Sequence, residues 1–298
     1  MQINKKKILC IGEVLWDNLP SGKKPGGAPM NVALHLHGIG LDVAIASKVG
    51  NDEAGRELVS FLKSSGVSTD LVDVDANLPT SQVLVHLDEN NNATYEICEP
   101  VAWDNLNMTD SLMKRAQESG LFIYGSLASR NPISRDTIFR LLDSDAIRLI
   151  DVNLRKPYDS QEIIEKLLTK TDIVKLNDEE LVVFAQWHNK HRHDEKSLVK
   201  WFAEEYDAKM VCVTKGDKGA ILYSDGEFVD HPGFKVQAVD TVGSGDAFLA
   251  GLVASLLEGK STADALAFAC ATGAFVATQA GATPAYDMHR INQILHSN

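Results

Sequence analysis

Cysteine is scarce in this chain, and long apolar runs are missing. Only four cysteines occur in 298 residues, Cys10, Cys98, Cys212 and Cys270, with no CxxC and no close spacing. Scattered through mainly apolar contexts, they read as buried thiols. No apolar run approaches the ~20 residues that a membrane-spanning helix needs. The opening "MQINKKKILCIGE" runs straight into a strand without the apolar stretch of a signal peptide, so the expected address is the cytoplasm and no membrane partner is expected. Basic residues are outnumbered, 29 Lys and Arg against 41 Asp and Glu, for a net charge of −12. That balance removes the broad basic footprint of a nucleic-acid binder. An anionic small substrate would have to be met locally, by backbone amides, one or two basic side chains, or a metal. No 20–50-residue repeat and no low-complexity tract occurs.

Two common phosphate-loop fingerprints also fail. "ASLLEGKST" nearly meets G-x-x-x-x-G-K-[ST], but its first position is Ala254 and it closes a helix instead of following a strand. No G-x-G-x-x-G follows the first strand, and "GIGLDVA" precedes a strand, so a dinucleotide site is not supported.

What is present is alternation. The runs "KILCIGEV", "DVAIASKVG", "LFIYGSLA", "IRLIDVN", "DIVKLN", "MVCVTKG" and "GAILYS" read as strands, with helical patterns between most of them. Length allows one large α/β domain or two smaller ones. The alternation predicts α/β architecture, a mostly parallel sheet covered by helices on both faces. Around 12–25 and 80–100 the pattern changes to apolar and polar in alternation about an Asn-rich turn. That reads as an exposed hairpin with one buried face, able to form a small flap.

Several stretches carry candidate chemistry. In "AVDTVGSGDAFLAGL", 238–252, Gly243, Ser244 and Gly245 lie ahead of a helix, and Asp246 stands against them. Glycines let backbone amides approach a ligand, and the helix start offers unpaired N–H groups and a positive dipole end. Together they form a seat for an anion. A plain N-cap explains Asp246 equally well, though not the small residues before it. In "GGAPMNVALHLHGIG", 26–40, Gly26 and Gly27 precede a helix carrying Asn31, and Asp17 lies on the flap-like segment. Asp and Asn suit the paired hydroxyls of a sugar; a turn with a cap is the structural alternative.

"IDVNLRKPYD" places Asp151, Asn153 and Arg155 at alternate positions where a strand ends, so an extended chain would aim all three into the crevice beyond the strand's carboxyl end. "KLNDEE" ends another strand with Asn177 and Glu180 at capping-box spacing. "VTKGDKGAILY" carries Thr214, Gly216 and Gly219 and otherwise reads as a hairpin turn. In "WHNKHRHDEK", His188, His191 and His193 have spacings a metal could use, but Lys190, Arg192 and Lys196 oppose a cation and favour a solvated connector. His35 and His37 are two apart and do not share a helix face.

At this point a resemblance becomes specific. "GGAPMNVALHLHGIG" resembles the N-terminal signature of the ribokinase-like (PfkB-type) carbohydrate kinases, and "DTVGSGDAFLAG" resembles their C-terminal one, in the right order and at the right separation. The likeness runs from about Ile8 to the end of the chain. "GEVLWDNLP" and "AWDNL" are most similar to the bacterial fructokinase branch. Ser244 departs from the usual Ala of the family. A loop that works through backbone amides should survive that change.

The resemblance implies a single ribokinase-like kinase domain over 1–298. It would be a three-layer fold with a mostly parallel central sheet flanked by helices, plus a small β lid from strands at about 12–25 and 80–100. It implies ATP and Mg²⁺, with fructose as the expected acceptor, giving fructose 6-phosphate. By analogy, Gly243, Ser244 and Gly245 would stabilise the transferred phosphoryl, Asp246 would take the hydroxyl proton, and Arg155 would lie near substrate and phosphoryl. Asp17, Gly26, Gly27, Asn31, Asp151 and Asn153 would line the sugar. Asn177, Thr214, Gly216, Gly219, Ala271 and Ala274 would flank the nucleotide, and Glu180 would hold Mg²⁺ through water. Some members bind a monovalent cation such as K⁺ at positions matching Asp240 and the Gly281 loop. The rivals are another sugar kinase, acting on ribose or 2-keto-3-deoxygluconate, and a catalytically silent sugar- or nucleotide-binding regulator. Exposed lid strands also offer edges through which two copies could pair.

Overall fold

The computed structural model describes residues 6–19, 22–87, 93–190 and 194–297. Its strands are β1 (Ile8–Ile11), β2 (Leu15–Leu19), β3 (Gly22–Gly26), β4 (Val43–Gly50), β5 (Val72–Asp75), β6 (Ser81–Leu87), β7 (Ala93–Ile97), β8 (Leu121–Gly125), β9 (Ile147–Asp151), β10 (Ile173–Asn177), β11 (Met210–Thr214), β12 (Ala220–Ser224) and β13 (Glu227–His231). The helices are α1 (Ala28–Ile39), α2 (Glu53–Ser64), α3 (Asp110–Glu118), α4 (Pro132–Leu142), α5 (Gln161–Leu168), α6 (Asp178–Trp187), α7 (Glu195–Tyr206), α8 (Ser244–Leu257), α9 (Thr262–Ala277) and α10 (Met288–Leu295).

All seven strand-like runs of the sequence become strands of one nine-stranded sheet, ordered β13-β12-β11-β10-β9-β8-β1-β4-β5. Pairing is parallel from β5 to β11 and antiparallel at β12 and β13. Successive strand residues point to opposite faces. Leu9, Ile11, Phe122, Tyr124, Ile150 and Val174 therefore pack with α3 to α7 on one face. Ile8, Cys10, Ile123, Leu149 and Ile173 pack with α1, α2, α8 and α9 on the other. Both faces are covered, which is why these strands read as continuous apolar runs. Cys10, Cys212 and Cys270 are buried as expected, whereas Cys98 is only partly so. No helix among the described residues is long and apolar enough to cross a membrane.

The segments 12–25 and 80–100 do not stay separate hairpins. They join in one four-stranded sheet, β3-β2-β6-β7, in which β2 and β6 run parallel. The Asn-rich turn at 88–92 lies outside the described residues. Two contacts, among others, tie this sheet to the main body. Trp16 donates through Nε1 to the Ala54 carbonyl at 2.9 Å. Near the end of β7, Arg130 donates to the Cys98 carbonyl at 2.8 Å, pairs with Asp104 through Nε at 2.8 Å, and lies between the rings of Trp103 and Tyr158. Trp103 and Asp104 belong to the "AWDNL" stretch, so this sequence builds a buried turn beneath the small sheet.

From β1 the chain first adds β4 on one side and later β8 on the other. Strand order reverses there, and open α/β sheets bind ligands at such a point, beyond the carboxyl ends of the strands.

Candidate active site

Two helix starts converge on that crevice. α1 begins behind Gly27, whose φ is 113°, and a Cβ there would collide with the Glu13 carbonyl oxygen. A Cβ on Gly26 would collide with the Asp17 carboxylate, which lies over that glycine from β2. Backbone approach thus requires a glycine at 27, whereas a side chain at 26 would displace the Asp17 carboxylate. α8 begins at Ser244, capped by Gly243 with φ 79°. A side chain on Gly243 would strike the Ala282 carbonyl.

The N-cap alternative for Asp246 therefore falls. The cap position belongs to Gly243, and Asp246 lies inside the first turn of α8. Its Oδ2 instead accepts a hydrogen bond at 2.9 Å from Asn31 Nδ2 on α1. Burial pushes the Asp246 carboxyl up to about 7, with the Asp151 charge adding to the rise and Asn31, Lys175 and Arg155 opposing it. The Ser244 amide donates to the Thr241 carbonyl at 3.2 Å, so that amide is already engaged in a turn. The Gly245 and Asp246 amides that follow lie in the helix's first turn, where intrahelical acceptors are lacking, an arrangement suited to an anion.

At the end of β9, Asp151 is buried and takes both of its oxygens to Lys175 Nζ, at 3.0 and 2.9 Å. Burial works against the Lys175 charge, but Asp151 more than offsets it and the ammonium is held. The expected side-by-side run of Asp151, Asn153 and Arg155 does not form. Asn153 turns into the left-handed region with φ 45°, which breaks the extended chain. Arg155 is exposed, yet its charge acts on Glu13, Asp17 and Asp246.

Asn177 and Glu180 form a complete capping box on α6. Asn177 Oδ1 accepts from the Glu180 amide at 2.8 Å, and Glu180 Oε2 accepts from the Asn177 amide at 2.9 Å. Glu180 Oε1 accepts from the Leu154 amide at 2.8 Å, which ties α6 to the loop carrying Arg155. Burial, then the Asp151 charge, pushes the Glu180 carboxyl up against the pull of these amides.

Thr214 ends β11 opposite Asn177, and Gly216 and Gly219 shape the turn into β12, both with positive φ. Asp240 accepts from the Gly281 amide at 3.1 Å, so these two residues do meet. Of the two alanines expected beside a nucleotide, Ala274 is partly exposed, but Ala271 is not available. It is fully buried in the cluster formed by α8, α9 and α10 and offers a ligand no surface.

His188 ends α6 and lies 2.8 Å from Glu165 and 3.1 Å from the Tyr206 hydroxyl. His191 and His193 lie outside the described residues. Among the described residues no group of three His, Cys, Asp or Glu is placed to hold a metal ion.

Two residues of this region, Lys175 and Glu13, were not singled out from the sequence, and a third, His35, was weighed there only as a metal ligand paired with His37. Lys175 interrupts the apolar run "DIVKLN", and a lysine there signals a buried ion pair. Glu13 follows Gly12, just beyond β1, and is only 3% exposed. Burial pushes its carboxyl up to about 7, the Arg155 charge opposes the rise and the Asp246 charge adds to it. His35 is fully buried on α1, with Nδ1 3.0 Å from the Tyr286 hydroxyl. Burial pushes it down to about 4, so it packs there as a neutral ring, close to the Gly243 and Ala282 carbonyls.

The sequence matches the model of the pfkB family carbohydrate kinases over residues 6–288. It is 32% identical over 314 residues to the protein named "Probable fructokinase-5" of Arabidopsis thaliana, covering 95% of this chain and 94% of that one. Among solved structures, the fructokinase of Xylella fastidiosa with bound ATP superposes with a TM-score of 0.84 at 25% identity, over 98% of each chain. A sugar kinase of Pyrococcus horikoshii in complex with ATP superposes with a TM-score of 0.78 at 28% identity, over 93% of this chain and 94% of that one.

Proposed function

This chain belongs to the pfkB family of carbohydrate kinases, and from that premise we propose that its site moves the γ-phosphoryl of ATP onto a hydroxyl of fructose. The observation that carries the proposal is the placement of Asp246. A carboxylate held by Asn31 stands directly behind the glycine-capped start of α8. A proton acceptor and an anion seat are thus one helical turn apart.

In phosphoryl transfer the charge sits on the equatorial oxygens of a loose transition state, and alignment plus preorganised donors supply most of the acceleration. The amides at the start of α8 are such donors, fixed by the fold before substrate arrives. Asp246 orients the acceptor hydroxyl and receives its proton, and a carboxyl near 7 is matched to that task at neutral pH. Asp17, Gly26, Gly27 and Asn31 line the acceptor side. The two glycines let backbone come close, and Asn31 offers both a donor and an acceptor. Arg155 brings positive charge to the same mouth. The small sheet, β3-β2-β6-β7, is assigned as the lid. Thr214, Gly216, Gly219 and Ala274 are assigned to the nucleotide side.

Mg²⁺, when bound, supplies neutralisation of the nucleotide's phosphate charge. The residues present suit it only through water. Asp151 is committed to Lys175, and each Glu180 oxygen has one amide donor with lone-pair capacity left. Asp240 beside Gly281 is assigned to a monovalent cation, K⁺. Two copies pairing through the lid would use β7, because β3, the other edge, carries Lys23, Lys24 and Pro25, which resist strand addition.

A coupled ADP-release assay over fructose, ribose, 2-keto-3-deoxygluconate and other sugars tests the proposal. Fructose should give the largest kcat/KM. A tenfold advantage for ribose or the ketodeoxy acid overturns the choice of acceptor, and no turnover with any sugar overturns the kinase reading.

A further inference from the structure

We propose that Glu13 is an acceptor-binding residue, whose buried carboxylate receives a hydroxyl of the sugar other than the one facing Asp246. The inference rests on the sugar-kinase reading above. Glu13 follows β1 just where the chain passes beneath the start of α1. A Cβ on Gly12 would lie 2.7 Å from the Pro29 ring, and the Glu13 carbonyl abuts Gly27. The buried side chain itself reaches the Ala28 amide at the start of α1, and the charges of Arg155 and Asp246 act on it.

One carboxylate oxygen, Oε2, is buried and has no hydrogen-bond partner in the protein. The Glu13 and Ala28 amides and the Arg155 charge favour the ionised carboxyl, but an oxygen buried without a donor still opposes folding, so packing alone does not account for it. A second atom in the same state belongs to Asn31 on α1. Asn31 gives its amide to Asp246, while its Oδ1 is buried without a partner. Both atoms are acceptors, and an ionised carboxylate can only accept. A ligand that completes them must bring donors, and vicinal hydroxyls of a neutral sugar do so. A sugar acid presenting its carboxylate here would face Glu13, Asp17 and Asp246 together.

Glu13→Gln and Glu13→Asp in the full chain test this, with fructose affinity measured calorimetrically beside kcat, the KM for ATP and the melting temperature. The first variant removes the charge at constant shape, and the second keeps the charge but withdraws it by one methylene. Both should weaken fructose binding roughly tenfold, because hydrogen bonds to charged groups are the stronger ones, while the KM for ATP stays within twofold. Within a series of singly deoxygenated fructoses, one analogue should bind wild type and Glu13→Gln alike. Fructose affinity within twofold of wild type in a folded variant overturns the proposal. So does a fall in kcat with unchanged sugar affinity, which would assign Glu13 to holding Arg155. If wild type phosphorylates no sugar, the parent reading fails; if it does and these variants bind normally, only this inference fails.

Discussion

Asn31 Nδ2 and Asp246 Oδ2 lie 2.9 Å apart although 215 positions separate them in sequence. That bond brings the two glycine-rich signatures together, so the α1–α8 packing fixes the position of the proposed base. Asp246→Asn keeps the size and the contact with Asn31 but cannot take a proton. General-base contributions are typically ~10²–10⁴-fold, and kcat should fall by that much while calorimetry still shows ATP and fructose binding. A loss below about tenfold would remove Asp246 from the base role.

The pH profile should carry the same signature. Asp246 must be ionised to accept a proton, so kcat should rise with pH through about 7. Asn31→Ala removes a hydrogen bond that favours the charged form, and should move this acid limb to higher pH. An unmoved limb in that variant would detach the limb from Asp246.

Stability follows the same group with a definite sign. The folded carboxyl is raised from the ordinary 3.8 to about 7, so the fold binds the proton more tightly than the unfolded chain does. Its contribution is fully present below about 4 and is lost as pH rises through about 7. Asp246→Asn removes that loss, so its melting temperature should exceed wild type by several degrees at pH 8 and converge with it near pH 4. Parallel curves would contradict the burial argument.

The Asp151–Lys175 pair predicts non-additive losses. Both side chains are buried, so Lys175→Met leaves an uncompensated carboxylate and should cost about 3–5 kcal/mol in denaturant unfolding. Asp151→Asn combined with Lys175→Met should recover a large part of that loss. Equal destabilisation in the double variant would mean that the pair's polar contacts matter more than its charges.

Glu180→Gln separates capping from metal positioning. An amide side chain has one accepting oxygen, so one of the Leu154 and Asn177 bonds must be lost, costing about 1–3 kcal/mol. If the residue also orients water on Mg²⁺, the metal concentration at half-maximal rate should rise when assayed well below the melting temperature. Lowered stability with unchanged metal dependence would leave Glu180 as a cap alone.

Much of this was legible locally. Doubly covered parallel strands are apolar on nearly every residue, so "LFIYG" and "MVCVT" announced themselves, and Gly27 and Gly243 mark where backbone passes close to other atoms. The short strands β5 and β13 carried no such signal, because Asp73, Glu227 and Asp230 face outward at the sheet margins. Tertiary structure alone decided the partners. Periodicity says which face of an element is buried, never which residue it meets. Hence Asn31 on Asp246, Asp151 on Lys175, β2 beside β6 and the confinement of Glu13 emerge only from long-range packing. Desolvation then sets the charge behaviour of each group, since it depends on every element closing around the site at once.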